Sequence, residues 1–371
     1  MNRRKFIKVS GGLLLAGGTT GYLVSDKTAY TRKNQQINTG SGSPLKEDEY
    51  KILYLASLAP SGHNTQPWLI KYIEPCHWIV CNDQTKWLPA VDPTQRETIL
   101  SIGAFVQTLE YAANTMGYSC EFTLLAQTPQ NAEVMDVKLK KQAGVSPFEK
   151  EKIELRRTVR SGYQNELLKP ADVNFLLNEN KSALYYLPNN SKQHLWLNEQ
   201  TIEANRKQTW REDAQKELAG WIRFSGKDAK QHNDGLTAAS MEAEGLAGWV
   251  LRNFYDDKNV MSKKFREQGL SKVKQQVSTS AGWIIITSKD SSVENLLETG
   301  RSMQRLFLKV RERGIAIHPM TQILEEQPFN KQVNAELGIT DPVQFILRTG
   351  YVKNYPQPVS LRRPAEMFLK T

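Results

Sequence analysis

The sequence predicts an α+β fold made of two fused repeats, each a mostly antiparallel sheet flanked by helices. Four residues of a helical segment in the second part repeat residues of the first part at a constant shift of 197 positions. They are Gly300, Gln304, Leu306 and Gly314, which fall on Gly103, Gln107, Leu109 and Gly117. Each segment follows an apolar run with Trp near its start, at 77–80 and 282–286, which is typical of a strand.

The chain of 371 residues fits one large or two modest domains. We expect residues 48–148 to form the first half and residues 149–371 the second. A polar, helical stretch at about 180–280 is expected either to act as a lid or to fill out the fold. Residues 30–47 are polar and contain Gly and Ser, which indicates a linker. A duplication predicts that the helices at 102–117 and 299–314 pack around a pseudo-twofold axis, with Gly103 and Gly300 allowing close approach.

The first residues indicate export. Residues 2–8 (NRRKFIK) resemble the twin-arginine (Tat) consensus, and residues 9–24 form a weakly apolar, Gly-rich segment. We therefore interpret residues 1–29 as a Tat signal, which implies a periplasmic protein and the Tat translocase as a partner during export. The cleavage site is poor because Lys27 stands where a small residue is preferred. Retention by an N-terminal membrane anchor is the alternative.

The charge balance limits the choice of partner. The chain has 49 Lys and Arg against 39 Asp and Glu, a net charge of +10. The excess is spread along the sequence without a basic block or a nucleic-acid motif, so no nucleic-acid partner is predicted. It suits an anionic small ligand or an envelope surface. The three cysteines and five histidines show no metal-ligand spacing, and no metal site is predicted.

A polar loop stands between a predicted helix and a strand that begins at Trp68. Pro60 ends the helix, and Gly62 has no Cβ, so the backbone can approach a flat ligand closely. Ser61 and Asn64 supply short donors and acceptors for the polar edge of a heterocycle. The loop is a candidate binding site, and an ordinary Asn/Gly turn is the alternative.

A second candidate site is basic. Arg156, Arg157, Thr158 and Arg160 lie within five residues, and Arg362 lies near the end of the sequence. Guanidinium groups offer paired, charged donors that match a phosphate, and a Thr hydroxyl can add one more hydrogen bond. These residues predict a phosphate clamp, and a solvated helix start is the alternative.

Four segments together carry a resemblance to a known family. Residues 59–68 (APSGHNTQPW) resemble the APSxxNxQPW signature of the nitroreductase-like FMN-binding flavoproteins, and residues 154–160 (ELRRTVR) resemble their RRSxR motif. Residues 314–322 (GIAIHPMTQ) resemble their GLGxxPxxG segment, and residues 361–366 (LRRPAE) their KxRxPLE segment. With the Tat signal, the DPTQRE run at 92–97 and the length, the chain resembles the Acg-type, fused-repeat branch of this family. The resemblance covers nearly everything after residue 48 and is weakest in residues 180–280.

This resemblance implies that FMN is the cofactor and indicates which residues hold it. The phosphate would be held by Arg156, Arg157, Thr158, Arg160 and Arg362. The ring would be held by Pro60, Ser61, Gly62 and Asn64, and by backbone N–H groups of the segment Pro319, Met320, Thr321 and Gln322. The first half has no RRSxR and the second has no PSxxN, so one complete FMN site would form from both halves of one chain. A monomer would then suffice to bind FMN.

The resemblance also implies a function. The protein would be an oxidoreductase that passes electrons through FMN to a nitro, quinone or other conjugated acceptor, with an unidentified electron donor and small-molecule acceptor. The flavin carries such chemistry, so no catalytic side chain is predicted. The alternative is a protein that binds or sequesters FMN with little turnover.

Overall fold

Two antiparallel sheets form the framework of the chain in a computed structural model, which describes residues 29–35, 44–142, 148–178 and 183–371. Residues 1–28, which hold nearly all of the predicted Tat signal, lie outside the described residues. Among the residues described, no helix is both long and apolar enough to cross a membrane.

The secondary structure begins with helix α1 (Glu47–Ala56), strands β1 (Trp68–Glu74) and β2 (His77–Asn82), helix α2 (Arg96–Thr115), and strands β3 (Tyr118–Leu124) and β4 (Glu133–Lys141). Helices α3 (Lys150–Leu155) and α4 (Pro170–Leu177) follow, then strand β5 (Leu184–Pro188).

A mainly helical region comes next. It comprises α5 (Lys192–Trp210), α6 (Glu212–Trp221), β6 (Ile222–Arg223), α7 (Gly226–His232), β7 (Leu236–Thr237), α8 (Gly245–Phe254), α9 (Asp257–Val260) and α10 (Lys263–Val277). The chain continues with β8 (Gly282–Thr287), α11 (Val293–Lys309), β9 (Ile315–Pro319), α12 (Gln322–Glu325), α13 (Phe329–Leu337), β10 (Val343–Tyr351) and β11 (Leu369–Lys370).

The two sheets have the same strand order. The first contains β1-β2-β4-β3 and the second β5-β8-β10-β9, and every pair within these runs is antiparallel. In each, a helix follows the second strand, α2 in one case and α11 in the other. The predicted α+β class with mostly antiparallel sheets is confirmed, and the shared strand order is what a repeat would produce.

The end of the chain joins the first sheet. Strand β11 pairs in parallel with β1, with Ile70 opposite Leu369 and Lys71 opposite Lys370. The edge strand of the first sheet therefore comes from the second half of the sequence.

Helices α2 and α11 lie in the centre of the molecule. Residues of α2 are buried without interruption from Thr98 to Leu109. One apolar cluster joins both helices to the inner faces of both sheets, including Ile70 of the first and Ile284 of the second. A helix that is buried on several sides, as α2 is, belongs in a core.

Two glycines allow these helices to approach closely, as the sequence predicts. A Cβ added to Gly103 would lie 2.2 Å from the carbonyl oxygen of Leu297, and one added to Gly300 would lie 2.1 Å from that of Leu100. The contact is reciprocal, because the two leucines are also related by the shift of 197 positions. Such reciprocity is the signature of an isologous interface.

The helical region covers the outer face of the second sheet only. Strands β8 and β10 are buried at every residue, whereas β1 is exposed at Lys71 and at Glu74. Trp283 and Ile346 of the second sheet pack against Leu197 of α5 and Val277 of α10. The second sheet is therefore apolar on both faces, while the first has one face toward water.

The glycine contact gives a stability prediction. Gly103→Ala and Gly300→Ala should each lower the free energy of unfolding by about 1–3 kcal/mol, because each new methyl group meets backbone atoms that cannot rotate away. Gly269→Ala in α10 is the matched control, since its Cβ would meet nothing within 4 Å. That control should be neutral or slightly stabilising, because Ala favours a helix over Gly. Denaturant unfolding of the three variants measures this, and equal effects at all three positions would contradict the close contact.

Candidate functional site

A cavity between the two halves brings together three of the predicted segments. It is lined by Pro60, Ser61 and Asn64 of the polar loop, by Arg156, Arg157, Thr158 and Arg160, and by Arg362. It encloses about 540 Å³ of space, part of which is open to solvent. The polar loop lies in the first half, whereas all the lining arginines of these segments lie in the second.

The polar loop is held in an unusual backbone conformation. His63, Asn64 and Gln66 have φ values of 46°, 56° and 56°. This left-handed region is disfavoured for residues other than glycine, least so for Asn. The Ser61 hydroxyl accepts a hydrogen bond from the Gln66 N–H at 2.9 Å, which fixes the turn from within.

Asn64 connects this loop to distant parts of the chain. Its amide group donates to the carbonyl oxygens of Gly235, at 3.0 Å, and Leu361, at 3.1 Å. Its Oδ1 accepts from Nη1 of Arg362 at 2.7 Å. Both amide hydrogens are therefore used within the protein, and Oδ1 holds the Arg362 guanidinium group. The predicted contact of Asn64 with a heterocycle stays a prediction.

The segment around Arg362 is fixed by its neighbour. The Arg363 N–H donates to Oε1 of Gln66 at 2.8 Å, and its guanidinium group donates to the carbonyl oxygens of Gln66 and Trp68. Arg363 also forms a buried ion pair with Asp83 at 3.4 Å. These contacts attach the C-terminal segment to the first half just before β11 adds to β1.

Arg156 and Arg362 form a buried positive cluster with Arg32. The first two both donate to the carbonyl oxygen of Leu58, Arg156 through Nη2 at 2.9 Å and Arg362 through Nη2 at 3.2 Å. Burial lowers the pKa of Arg156, and the charge of Arg32 lowers it further. Burial also lowers the pKa of Arg362 well below its ordinary value, with Arg156 and Arg32 adding to the effect.

This cluster has no ion-pair partner among the described residues, and Glu154, whose charge acts on Arg32, pairs with Lys150 instead. Within the described part of the chain, Arg32, Arg156 and Arg362 form no ion pair within 4 Å, and Nε of Arg362 is buried without a hydrogen-bond partner. Buried guanidinium groups without a counter-charge are unfavourable unless an anion binds there. The donors present fit a phosphate group, which accepts several charged hydrogen bonds at once.

The other two arginines of the segment have a partner. Oε1 of Glu242 lies 3.4 Å from Nη2 of Arg157 and accepts from the backbone N–H of Arg160 at 2.8 Å. Arg160 also donates to the Ser240 carbonyl oxygen at 3.0 Å. Residues 240–242 belong to the helical region, which therefore borders the cavity directly.

The remaining predicted residues lie outside the lining of this cavity. Gly62 packs near Leu88. Pro319 ends β9 and has no N–H, and the Met320 N–H donates to the carbonyl oxygen of Ile346 while its side chain joins the core beneath the second sheet. Of the backbone N–H groups in the segment 319–322, those of Thr321 and Gln322 therefore remain as donors for a ligand. Their role toward the ring stays a prediction.

A carboxyl group of that segment lies beside a second one near the polar loop. Glu325 accepts from the Thr321 hydroxyl at 3.1 Å, and Glu97 is its carboxyl neighbour. Burial raises the pKa of Glu325 well above its ordinary value, and the charge of Glu97 raises it further. Burial lowers the pKa of His63, and the charge of Arg160 lowers it further, whereas the charge of Glu97 raises it.

Several lining residues were not predicted from the sequence. They are Arg32, His63, Leu236, Ser240, Pro358, Val359 and Ser360. His63 stands inside the predicted loop, and Ser360 precedes a predicted segment, so proximity in sequence was the available signal. Arg32 and Ser240 lie in stretches with no motif, and only the folded chain brings them to the cavity.

A probable nitroreductase is among the proteins to which the sequence is similar. No family model matches the chain. The sequence is similar to "Probable NAD(P)H nitroreductase PigM" from Serratia sp., with 23% identity over 326 residues that cover 80% of this chain and 86% of PigM.

Solved structures give two further likenesses. A nitroreductase-like family protein from Bacillus cereus matches with a TM-score of 0.33 and 12% identity, covering 60% of this chain and 94% of that one. The FMN-dependent nitroreductase NfnB from Mycobacterium smegmatis, solved in complex with NADPH, matches with a TM-score of 0.35 and 12% identity, covering 56% and 92%.

The carboxyl pair predicts a pH dependence of stability. A carboxyl group with a raised pKa in the folded state binds its proton more tightly there than in the unfolded chain. The stabilisation is therefore complete below the ordinary pKa of 4.5 and is lost as the pH rises toward the raised value. Glu325→Gln keeps the shape without the titration, so it should flatten the fall in unfolding free energy as the pH rises above 4.5.

The control for this experiment is Glu336→Gln, at an exposed position of α13. It should leave the pH profile as in the unmodified protein. If Glu325→Gln gave the same slope as Glu336→Gln, the raised pKa of Glu325 would be wrong.

Proposed function

We propose that this protein is an FMN-binding oxidoreductase of the nitroreductase type, in the Acg-type branch. The observation that carries the proposal is the cluster of Arg156 and Arg362, which has no acidic partner among the described residues and opens into the same cavity as Ser61 and Asn64. A phosphate dianion at this position would supply the missing counter-charge and an acceptor for Nε of Arg362.

The roles of the residues follow from their contacts. Arg156 and Arg362 would hold the phosphate group, and Thr158 stands in the lining where its hydroxyl can add a hydrogen bond. Arg157 and Arg160 already interact with Glu242, so their share in phosphate binding would be smaller. When bound, FMN supplies the transfer of electrons or hydride itself.

The similarity to PigM supports an oxidoreductase over a purely structural protein. We propose that the acceptor is a nitro, quinone or other conjugated compound, and that NAD(P)H or another reductant is the donor. A protein that holds FMN with little turnover is the second candidate. It is favoured by the proposed export, because NAD(P)H is scarce in the periplasm.

We further propose that the two halves arose by duplication and form an intramolecular pseudo-dimer with one FMN site. The identical strand order of the two sheets and the reciprocal contact of Gly103 and Gly300 support this. The site would then need no second chain.

Export to the periplasm by the Tat pathway, with the N-terminal segment either cleaved or kept as an anchor, is part of the proposal and rests on residues 2–8. Tat substrates fold before export, which would allow FMN to be loaded in the cytoplasm.

The proposed phosphate site predicts how the protein binds FMN. The protein should bind one FMN per chain without a covalent bond, and Arg156→Ala should weaken FMN at least tenfold while leaving riboflavin nearly unchanged. A charged hydrogen bond is worth about 1.5–3 kcal/mol, and only FMN carries the phosphate that receives it. Flavin fluorescence titration measures both ligands.

Arg206→Ala is the matched control, because Arg206 is an exposed arginine on α5 that pairs with Glu203 at 3.0 Å. It should leave both affinities unchanged. Equal losses of FMN and riboflavin in Arg156→Ala would mean that this arginine is structural, and two FMN per chain would contradict the single site.

A redox experiment distinguishes an enzyme that turns over through FMN from a protein that only stores FMN. Mixing the FMN-loaded protein with NADPH should bleach the flavin absorbance, and a nitroaromatic compound should restore it over many cycles. Dithionite serves as the control that the bound flavin can be reduced at all. Reduction by dithionite alone, without reoxidation by the nitroaromatic, would favour the storage function.

A further inference from the structure

Residues 29–35 lie against the arginine cluster. Arg32, Lys33 and Asn34 form a short 3₁₀ turn, in which the backbone N–H of Thr31 donates to Oδ1 of Asn34 at 2.9 Å. The Arg32 N–H donates to the carbonyl oxygen of Val359 at 3.3 Å. This segment, which the sequence predicts as the start of a linker, is hereafter called the strap.

Gln35 ties the strap to Arg362. Its Nε2 donates to the Arg362 carbonyl oxygen at 2.6 Å, and its Oε1 accepts from the Arg362 N–H at 3.0 Å. The same Nε2 lies 2.6 Å from Oδ1 of Asn233 in the helical region. The strap is therefore held by side-chain hydrogen bonds both to the segment of Arg362, which lines the cavity, and to Asn233 of the helical region.

The strap places a third guanidinium group at the cavity. Arg32 lines it together with Arg156 and Arg362, and its Nη2 donates to the Glu154 carbonyl oxygen just before the basic segment. No other described residue of the strap brings a charge to the cavity lining, since Lys33 is exposed and absent from it. Among the described residues these three guanidinium groups have no ion-pair partner, since Glu154, whose charge acts on Arg32, pairs with Lys150 instead. Like charges that converge repel one another, and a bound dianion would offset that repulsion.

We propose that Arg32 is a phosphate-binding residue and that the strap docks on the body of the protein together with the phosphate monoester it helps to hold. This inference rests on the proposed function in that FMN is the expected phosphate monoester. Binding and docking are then linked: the ligand stabilises the docked strap, and the docked strap tightens the ligand by the same factor. An N-terminal segment outside both repeats thereby controls how firmly the site retains its ligand.

The test uses the full chain, with Arg32→Ala as the variant and Lys33→Ala as its matched control one residue away. Arg32→Ala should weaken FMN roughly ten- to hundredfold, since one charged donor is lost, and should leave riboflavin unchanged. Arg32→Lys keeps the charge without the planar fork, so its affinity for FMN should fall between those of Arg32→Ala and the unmodified protein. Lys33→Ala should match the unmodified protein for both flavins.

A second measurement follows the strap itself. Trypsin cleavage after Lys33 should slow when FMN or inorganic phosphate is added to the unmodified protein, and this protection should disappear in Arg32→Ala. If FMN binds equally well to Arg32→Ala and the unmodified protein, the inference is overturned while the proposed function stands. If FMN fails to bind but inorganic phosphate still protects Lys33 through Arg32, the inference stands and the proposed cofactor is wrong. Absence of protection by either ligand overturns the inference.

Discussion

The close contact between α2 and α11 is the constraint on which the rest of the structure depends. Because Gly103 and Gly300 leave no side chain between the helices, each backbone comes against the carbonyl oxygen of a leucine on the other. This contact fixes the distance between the two halves, and hence between the polar loop of the first half and the arginine segment of the second. A site assembled from both halves requires such a rigid joint, since a displacement of about 1 Å is enough to disturb a binding geometry.

The cavity contains buried positive charges, whose unfavourable burial the rest of the fold must offset. The buried apolar residues of both sheets and of the central helices form one continuous cluster. That cluster offsets the unfavourable burial of Arg156 and Arg362, whose acceptors include the backbone carbonyl oxygen of Leu58 and, for Arg362, Oδ1 of Asn64. Functional sites commonly break the rules that the remainder of a fold obeys. Here the broken rule is charge neutrality, and it is broken at Arg156 and Arg362, which line the cavity and have no ion-pair partner among the described residues.

Much of the fold was accessible from the sequence because its signals are local. The helices at the centre follow apolar periodicity. Gly117 stands just after α2, and Gly314 ends a short 3₁₀ turn that follows α11, both in the left-handed conformation, with φ of 74° and 63°. The contact between the predicted loop, the basic segment and Arg362 also followed from short motifs. The parts that were missed depend on partners far apart in the chain: Asn64 donates to residues 171 and 297 positions away. Likewise nothing local marks Arg32 or Glu242 as neighbours of the cavity, since only tertiary packing brings them there.

The parallel pairing of β11 with β1 has a consequence for the order in which the protein is made. Strand β1 begins at Trp68 and its outer partner is Leu369–Lys370, so roughly 300 residues separate the two strands in the order of synthesis. Until residues 369 and 370 have been made, β1 presents an open row of backbone donors and acceptors, which is the usual starting point for association between unfinished chains. Arg362, which lines the cavity, precedes this outer strand by only a few residues. The same stretch of chain therefore covers the open edge of the first sheet and completes the cavity wall.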